Sequence, residues 1–379
     1  MALTIGINTL PYTPGGQGGA EVWLANVLQA LAEQPTPHRF VVFCNPSGAG
    51  RYAPPGWGEV VVPVPVGAGR IARVIAEQAL LPLVVARRGV DCLFSNYVAP
   101  VLASCAQVVN IHDMLFRVHP EYIEWAKLVY WRALIPRTAR AARVILTDSR
   151  HSARQIARFM PHAARKIRVT TAAVKRSLAS ITPAADALQR LGVRTPYVLS
   201  AGSFARHKNM PRLIDAFGRL ATRRPDVSLV LIGSASRPDS IAHMARLREQ
   251  TRATGLAERI RFTGFVSETD LAGLYGGASV FVLPSLFEGF GLPVLEAQHF
   301  GCPVVCSSAA SLPEVAGDGA RLVDPRDSAA LASAIEQVIA DDAERKRLVD
   351  LGRANLTRWT WEAAARDVVA ACEDAVTRA

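Results

Sequence analysis

Pro284-Ser285-Leu286-Phe287-Glu288-Gly289-Phe290-Gly291-Leu292-Pro293-Val294-Leu295-Glu296-Ala297 is the stretch on which the fold of this chain turns. It follows Ala278-Ser279-Val280-Phe281-Val282-Leu283, a short apolar run whose β-branched and aromatic residues predict a buried strand. Gly289 and Gly291 permit a sharp turn and a close approach of backbone to ligand. Pro293 suits the first turn of a helix that Val294, Leu295 and Ala297 continue. Strand, glycine turn and helix N-terminus in that order aim unpaired N–H groups and a positive dipole end at one spot, which favours phosphate. Glu288 stands before the turn and Glu296 about one turn into the helix, so both bracket that spot. A diphosphate on backbone amides, with hydroxyl-bearing groups beside two carboxylates, is the chemistry of a nucleotide sugar.

Working outward, a length of 379 residues allows two domains with a core each, and a hydrophobic share of 50% marks a globular chain. Met1 to Asn8 reads straight into a strand with no charged segment ahead of an apolar one, so no signal peptide is expected. No uncharged apolar run approaches the length of a spanning helix. The cysteines at 44, 92, 105, 302, 306 and 372 lie in apolar surroundings, and Cys302 and Cys306 lack the spacing of a zinc site. They read as buried thiols of a reducing cytoplasm. The charge of +11 is lopsided: residues 1–189 hold 20 Lys and Arg against 10 Asp and Glu, and residues 190–379 hold 23 against 22. A basic first half implies an anionic partner such as a membrane surface or a lipid-linked diphosphate.

Before the central stretch, strands alternate with helical patterns, as βαβ units with parallel sheets require. Strands are expected at 3–8, 40–43, 60–66, 91–95, 108–113 and 144–148, and a helix at 70–82 extends toward Arg87 and Arg88. Between the first strand and the helix from Val22 lies the glycine-rich loop of Gly15, Gly16, Gly18 and Gly19, another phosphate-cradling design. It is not a dinucleotide fingerprint, because Glu21 occupies the third glycine position counted from Gly16. His112 and Asp113 close a buried strand at its carboxyl end, where side chains of parallel sheets face a ligand crevice. Met114 to Ala141 interleaves Phe116, Tyr122, Trp125, Tyr130 and Trp131 with basic residues, a pattern suited to a membrane interface or to an anionic acceptor head. Ser149 and Ser152 are candidate helix caps. A linker is expected at 182–196. The second domain then opens with strand 198–201, a turn at Gly202, and the basic cluster Arg206, His207 and Lys208, which suits a leaving diphosphate.

The string PSLFEGFGLPVLEAQHFGCPVV, with seven residues between its two glutamates, resembles the signature of the family-4 retaining glycosyltransferases. The likeness runs through nearly the whole chain and is densest from Tyr197 to Asp327. It implies an α/β protein of GT-B fold: two Rossmann-like domains with parallel sheets facing across a cleft. The expected parts are an acceptor-side domain at 1–185, a nucleotide-sugar domain at 197–358 and a terminal helix at 359–379 crossing back to the first. The resemblance implies catalytic roles for His112, Lys208 and Glu288. It implies donor contacts from Gly16, Gly18, Gly19, Gly202, Ser203, Arg206, Lys208, Val266, Glu288, Gly289, Phe290, Gly291, Leu292 and Glu296, with Glu296 on the ribose and the backbone near Val266 on the base. One position departs from the family: Ser203 stands where an arginine is usual, leaving Arg206 or His207 to take its place.

No Asp-x-Asp occurs, so no metal and no cofactor is expected; the nucleotide sugar is a substrate. The segments around His112 and Gly202 are similar to bacterial mannosyl- and rhamnosyltransferases of surface polysaccharides. The expectation is therefore a peripheral protein on the inner face of the plasma membrane, carrying mannose from GDP-mannose to a lipid-linked or glycan acceptor. Other donors (UDP-, dTDP- or GDP-rhamnose-type sugars) and an epimerase or hydrolase on the same fold are the alternatives. Nucleic acid is not an expected partner, since no recognition motif accompanies the positive charge.

Overall fold

The computed structural model describes residues 2–12, 18–64, 69–233 and 238–378. The chain divides into two compact units, residues 1–172 with 360–379 and residues 173–359. The first is built on seven parallel strands: β1 (Thr4–Asn8), β2 (Arg39–Cys44), β3 (Gly58–Val61), β4 (Cys92–Asn96), β5 (Ala106–Asn110), β6 (Val144–Thr147) and β7 (Ile167–Val169). Their order is β3-β2-β1-β4-β5-β6-β7, so the sheet grows outward in both directions from the β1–β4 pair. Ligand crevices of such sheets open at the carboxyl ends beside that reversal.

Two local expectations are corrected. The third strand is Gly58–Val61, in register with β2 from Val41–Gly58 to Cys44–Val61. It stops before Pro63, which has no N–H to give a ladder. The helix expected from Arg70 is not uniform: Arg70–Ile75 passes through a π-helical turn, Ala76–Leu80, into Leu81–Arg87. Pro82 lacks the N–H that would bond four residues back, and the widened turn absorbs the defect. That turn drives Glu77 inward to 3% exposure. The Asn8 amide donates to its Oε1 at 2.8 Å and the Tyr130 hydroxyl to its Oε2 at 3.3 Å.

The terminal helix, Trp361–Thr377, belongs to the first unit. Gln34 Nε2 donates to the Glu362 carbonyl at 3.2 Å, Thr170 Oγ1 to Asp367 at 2.9 Å and Arg143 to the Ala375 carbonyl at 3.3 Å. Its small residues Ala364, Ala365, Ala371 and Ala375 are fully buried, which lets the helix lie close to the sheet.

The second unit carries six parallel strands: β8 (Tyr197–Ala201), β9 (Ser228–Ile232), β10 (Ile260–Gly264), β11 (Val280–Leu283), β12 (Val304–Ser307) and β13 (Ala320–Val323). Their order is β10-β9-β8-β11-β12-β13, with the reversal at β8 and β11. Alternate residues feed two cores. Val198, Leu229, Val280 and Val282 meet the helices Met210–Arg223 and Ser328–Ala340 on one face, and Tyr197, Leu199, Phe281 and Leu283 pack on the other. Strands buried on both faces explain the unbroken apolar runs of the sequence. The stretch expected as a linker packs on this unit: Ala184 N donates to the Thr269 carbonyl at 3.2 Å, and Leu188 and Leu191 join the second core. Among the described residues no helix is long and apolar enough to cross a membrane.

Burial pushes the Glu77 carboxyl up to about 7, against the pull of Asn8, Tyr130 and Arg73. Because its folded value lies above the unfolded one, Glu77 favours folding at acid pH, and that contribution is lost as pH rises through about 7. Glu77→Gln should therefore melt higher than the unsubstituted protein at pH 8, by about 1–3 kcal/mol of stability. The two melting temperatures should converge near pH 4.5.

Candidate functional site

The pairing of β8 with β11 decides the geometry of the second unit. The segments leaving their carboxyl ends run side by side, although Lys208 and Glu288 are 80 residues apart. After β8 the chain turns at Gly202 and forms a short 3-10 turn, Arg206–Lys208, ended by Asn209 in the left-handed conformation (φ 61°). The Asn209 amide fastens this turn to its neighbour by donating to the Pro284 carbonyl at 3.0 Å and the Pro325 carbonyl at 2.7 Å. Leu286 N donates to the His207 carbonyl at 2.8 Å.

On that frame Lys208 Nζ meets Glu288 Oε1 at 2.6 Å, and the Ser285 hydroxyl donates to the same oxygen at 2.6 Å. The two charged side chains are only 12% and 10% exposed. Burial alone would raise the Glu288 carboxyl, but the charges of Lys208 and His207 and the bonds from Lys208 and Ser285 outweigh it and hold the group below its ordinary value. Glu288 is thus held as a carboxylate beside Lys208.

The glycine turn is fixed by Ser311, whose buried hydroxyl serves the carbonyls of Glu288 (2.9 Å) and Phe290 (2.6 Å). Gly291 adopts φ 118° and a side chain there would place its Cβ 2.5 Å from Leu312 Cδ2. It is the N-cap of the helix Leu292–His299 and supplies no side-chain cap. Glu296, within that helix, stands apart from the Lys208 pair and accepts from the Tyr275 hydroxyl at 2.9 Å. Burial raises its carboxyl, against the bond from Tyr275 and the charge of Lys175.

The remaining expected donor contacts are less concentrated. Ser203 and Arg206 are exposed. Val266 is half-buried against the second core, beside Phe265, which is 68% exposed. In the first unit Gly18 is the N-cap of the helix Gly19–Ala32, and neither Gly18 nor Gly19 has an atom within 4 Å of an added Cβ. Gly16 lies outside the described residues.

His112 follows β5 and is 6% exposed. Its Nδ1 lies 2.5 Å from Asp148 Oδ2, and Asn110 Nδ2 donates to Asp148 Oδ1 at 3.2 Å. The Trp23 ring meets the imidazole edge-on at 5.5 Å and Tyr97 leans on it at 5.2 Å, in a left-handed backbone (φ 58°). The Tyr97 hydroxyl donates to Asp113 at 2.9 Å. Burial raises the Asp113 carboxyl. Of the two candidate caps, Ser149 serves the helix Arg150–Phe159 by accepting from Ser152 N.

Sequence reasoning missed Ser285, Tyr275, Ser311 and Asp148. Asp148 ends a strand as His112 does, but only the adjacency of β5 and β6 reveals that the two meet. The aromatic segment after Met114 divides. Phe116 is fully buried and Trp131 stacks on Tyr97 at 4.9 Å, so these serve the core, while Trp125 is 76% exposed.

Residues 17–176 match the family described as Glycosyltransferase Family 4, and residues 187–355 the one described as Glycosyl transferases group 1. The chain is 34% identical to O-antigen chain mannosyltransferase B of Escherichia coli over 67% of each chain. It is 28% identical to the serotype-specific mannosyltransferase WbdA of Escherichia coli over 58% of its own length, a match that spans only 27% of that relative. In structure it resembles sucrose-phosphate synthase of Thermosynechococcus elongatus with a TM-score of 0.82 over 100% of both chains; at 21% identity this is a likeness of fold.

Replacing Gly291 tests how firmly the turn is set. Gly291→Ala combines an unfavourable backbone with a clash on Leu312, and should cost about 2 kcal/mol or more in urea unfolding.

Proposed function

The chain belongs to the family-4 glycosyltransferases of GT-B fold, and on that footing we propose that it transfers mannose from GDP-mannose to a glycan or lipid-linked acceptor of a cell-envelope polysaccharide. Configuration is retained and no metal takes part. The observation that carries this reading is the buried Lys208–Glu288 pair beside an uncapped helix N-terminus. Mannose as the sugar rests on the relatives, two of which are named as mannosyltransferases.

Cleavage between the anomeric carbon and the diphosphate leaves negative charge on the departing phosphate. Lys208 and the helix N-terminus stabilise that charge from fixed positions, which is the work a metal ion would otherwise do. Glu288, held ionised, accepts hydrogen bonds from the sugar hydroxyls, and Glu296 from the ribose. Gly202, Ser203, Arg206 and the Gly289–Leu292 turn line the diphosphate; the backbone at Val266 takes the base. His112 binds hydroxyls of the sugar. The acceptor oxygen bonds to the anomeric carbon on the face the diphosphate leaves, and its proton passes to the leaving phosphate, so no glycosyl-enzyme forms.

Thermal melting with EDTA present tests the donor. GDP-mannose should raise the melting temperature by mass action while UDP-, dTDP- and ADP-sugars do not. A shift with a UDP-sugar alone discards the mannose donor. With the accepted donor, Lys208→Ala should lower kcat by ~100-fold or more.

The acceptor side of the proposal is a membrane surface. Ile71, Ile75 and Leu83 are exposed on one helical stretch of the first unit, and Trp125 and Val129 on another that Tyr130 ties to the first through Glu77. Exposed arginines flank them at 87, 88, 132, 137 and 140. Apolar side chains beside cations suit peripheral binding to the anionic inner leaflet. The protein should sediment with vesicles containing an anionic phospholipid and not with neutral ones, and Trp125→Ala should weaken the binding.

A further inference from the structure

We propose that Asp148 is the positioning residue of this glycosyltransferase's sugar-binding histidine: it holds His112 as the Nδ1-protonated ring and so presents Nε2 as a hydrogen-bond acceptor for a substrate hydroxyl. The inference rests on the role given to His112 above. Three observations carry it. Asp148 Oδ2 lies 2.5 Å from His112 Nδ1, much closer than the Asn110 Nδ2 donor at 3.3 Å, and a carboxylate can only accept there, which puts the ring proton on that nitrogen. The carboxylate is itself held, because Asn110 Nδ2 donates to its other oxygen at 3.2 Å, and the side chains of both Asp148 and His112 are more than nine-tenths buried. Finally, His112 Nε2 is buried with no hydrogen-bond partner among the described residues, and the same holds for Asn110 Oδ1. An orphan nitrogen in such surroundings is destabilising unless a ligand or water satisfies it. With Nδ1 protonated, both orphan atoms are acceptors, and the group they take is a donor: a hydroxyl, not a phosphate oxygen. Trp23 and Tyr97, packed on the imidazole, keep the ring from rotating away.

The tautomer is read directly from imidazole nitrogen shifts by NMR on the full chain, with the His112 signals assigned by their loss in His112→Gln. The unsubstituted protein should show a protonated Nδ1 and a bare Nε2. Asp148→Ala should shift the ring toward protonated Nε2, with Asp148→Asn as a second variant in case the first fails to fold. An Nε2-protonated ring in the unsubstituted protein overturns the proposal, and so does an Nδ1-protonated ring that survives in the folded variants. This readout needs no turnover, so it stands or falls separately from the transferase reading. Once a donor is identified, Asp148→Ala should lower kcat by ~10-fold or more. In a His112→Ala background the same change should cost no further activity, since the two residues act as one unit. An equal loss in both backgrounds would mean that Asp148 serves only the fold.

Discussion

The ion pair of Lys208 and Glu288 is the contact around which the second unit is arranged. A buried pair of opposite charges gives little net stability, because the desolvation of both ions consumes the attraction between them. Yet here the surroundings are committed to keeping it. Ser285 donates to the carboxylate, Asn209 takes a left-handed backbone to reach two carbonyls, and Ser311 holds the turn that follows. Effort of this kind is characteristic of a site that must hold charge in a fixed place.

The first unit follows the same plan with other residues. His112 and Asp148 leave the carboxyl ends of neighbouring strands, as Lys208 and Glu288 do, and meet in a nearly dry place. The second unit offers a cation and a helix N-terminus, which suit phosphate. The first offers acceptors, which suit hydroxyl groups. Arg87, Arg88, Arg132, Arg137 and Arg140 are exposed on helical stretches of this unit, as are Ile71, Ile75 and Trp125.

Close packing sets what can change. A Cβ on Gly233 would fall 1.9 Å from the Gly202 carbonyl oxygen, so the backbone at these two glycines is in close contact. Glu77 shows the opposite case, a carboxylate buried by a π-helical turn with only neutral donors bonded to it, and its raised proton affinity follows from that isolation.

Much of this was legible in the chain itself. Apolar runs such as Val280–Leu283, interrupted by glycine turns and followed by helical periodicity, determine parallel sheets because only strands buried on both faces read that way. Glu288, Lys208 and His112 could be named as candidates from their places at strand ends together with the family resemblance. Their partners could not. Ser285 is an ordinary polar residue in sequence, Tyr275 one more aromatic on a helix, and Asp148 one more acid at a strand end. The order of strands is set by long-range packing, and that order alone brings β8 against β11 and β5 against β6. Local pattern therefore decided which elements form and which residues stand at their tips. Tertiary structure decided which tips touch, because hydrogen bonds and ion pairs depend on distances that sequence spacing does not carry.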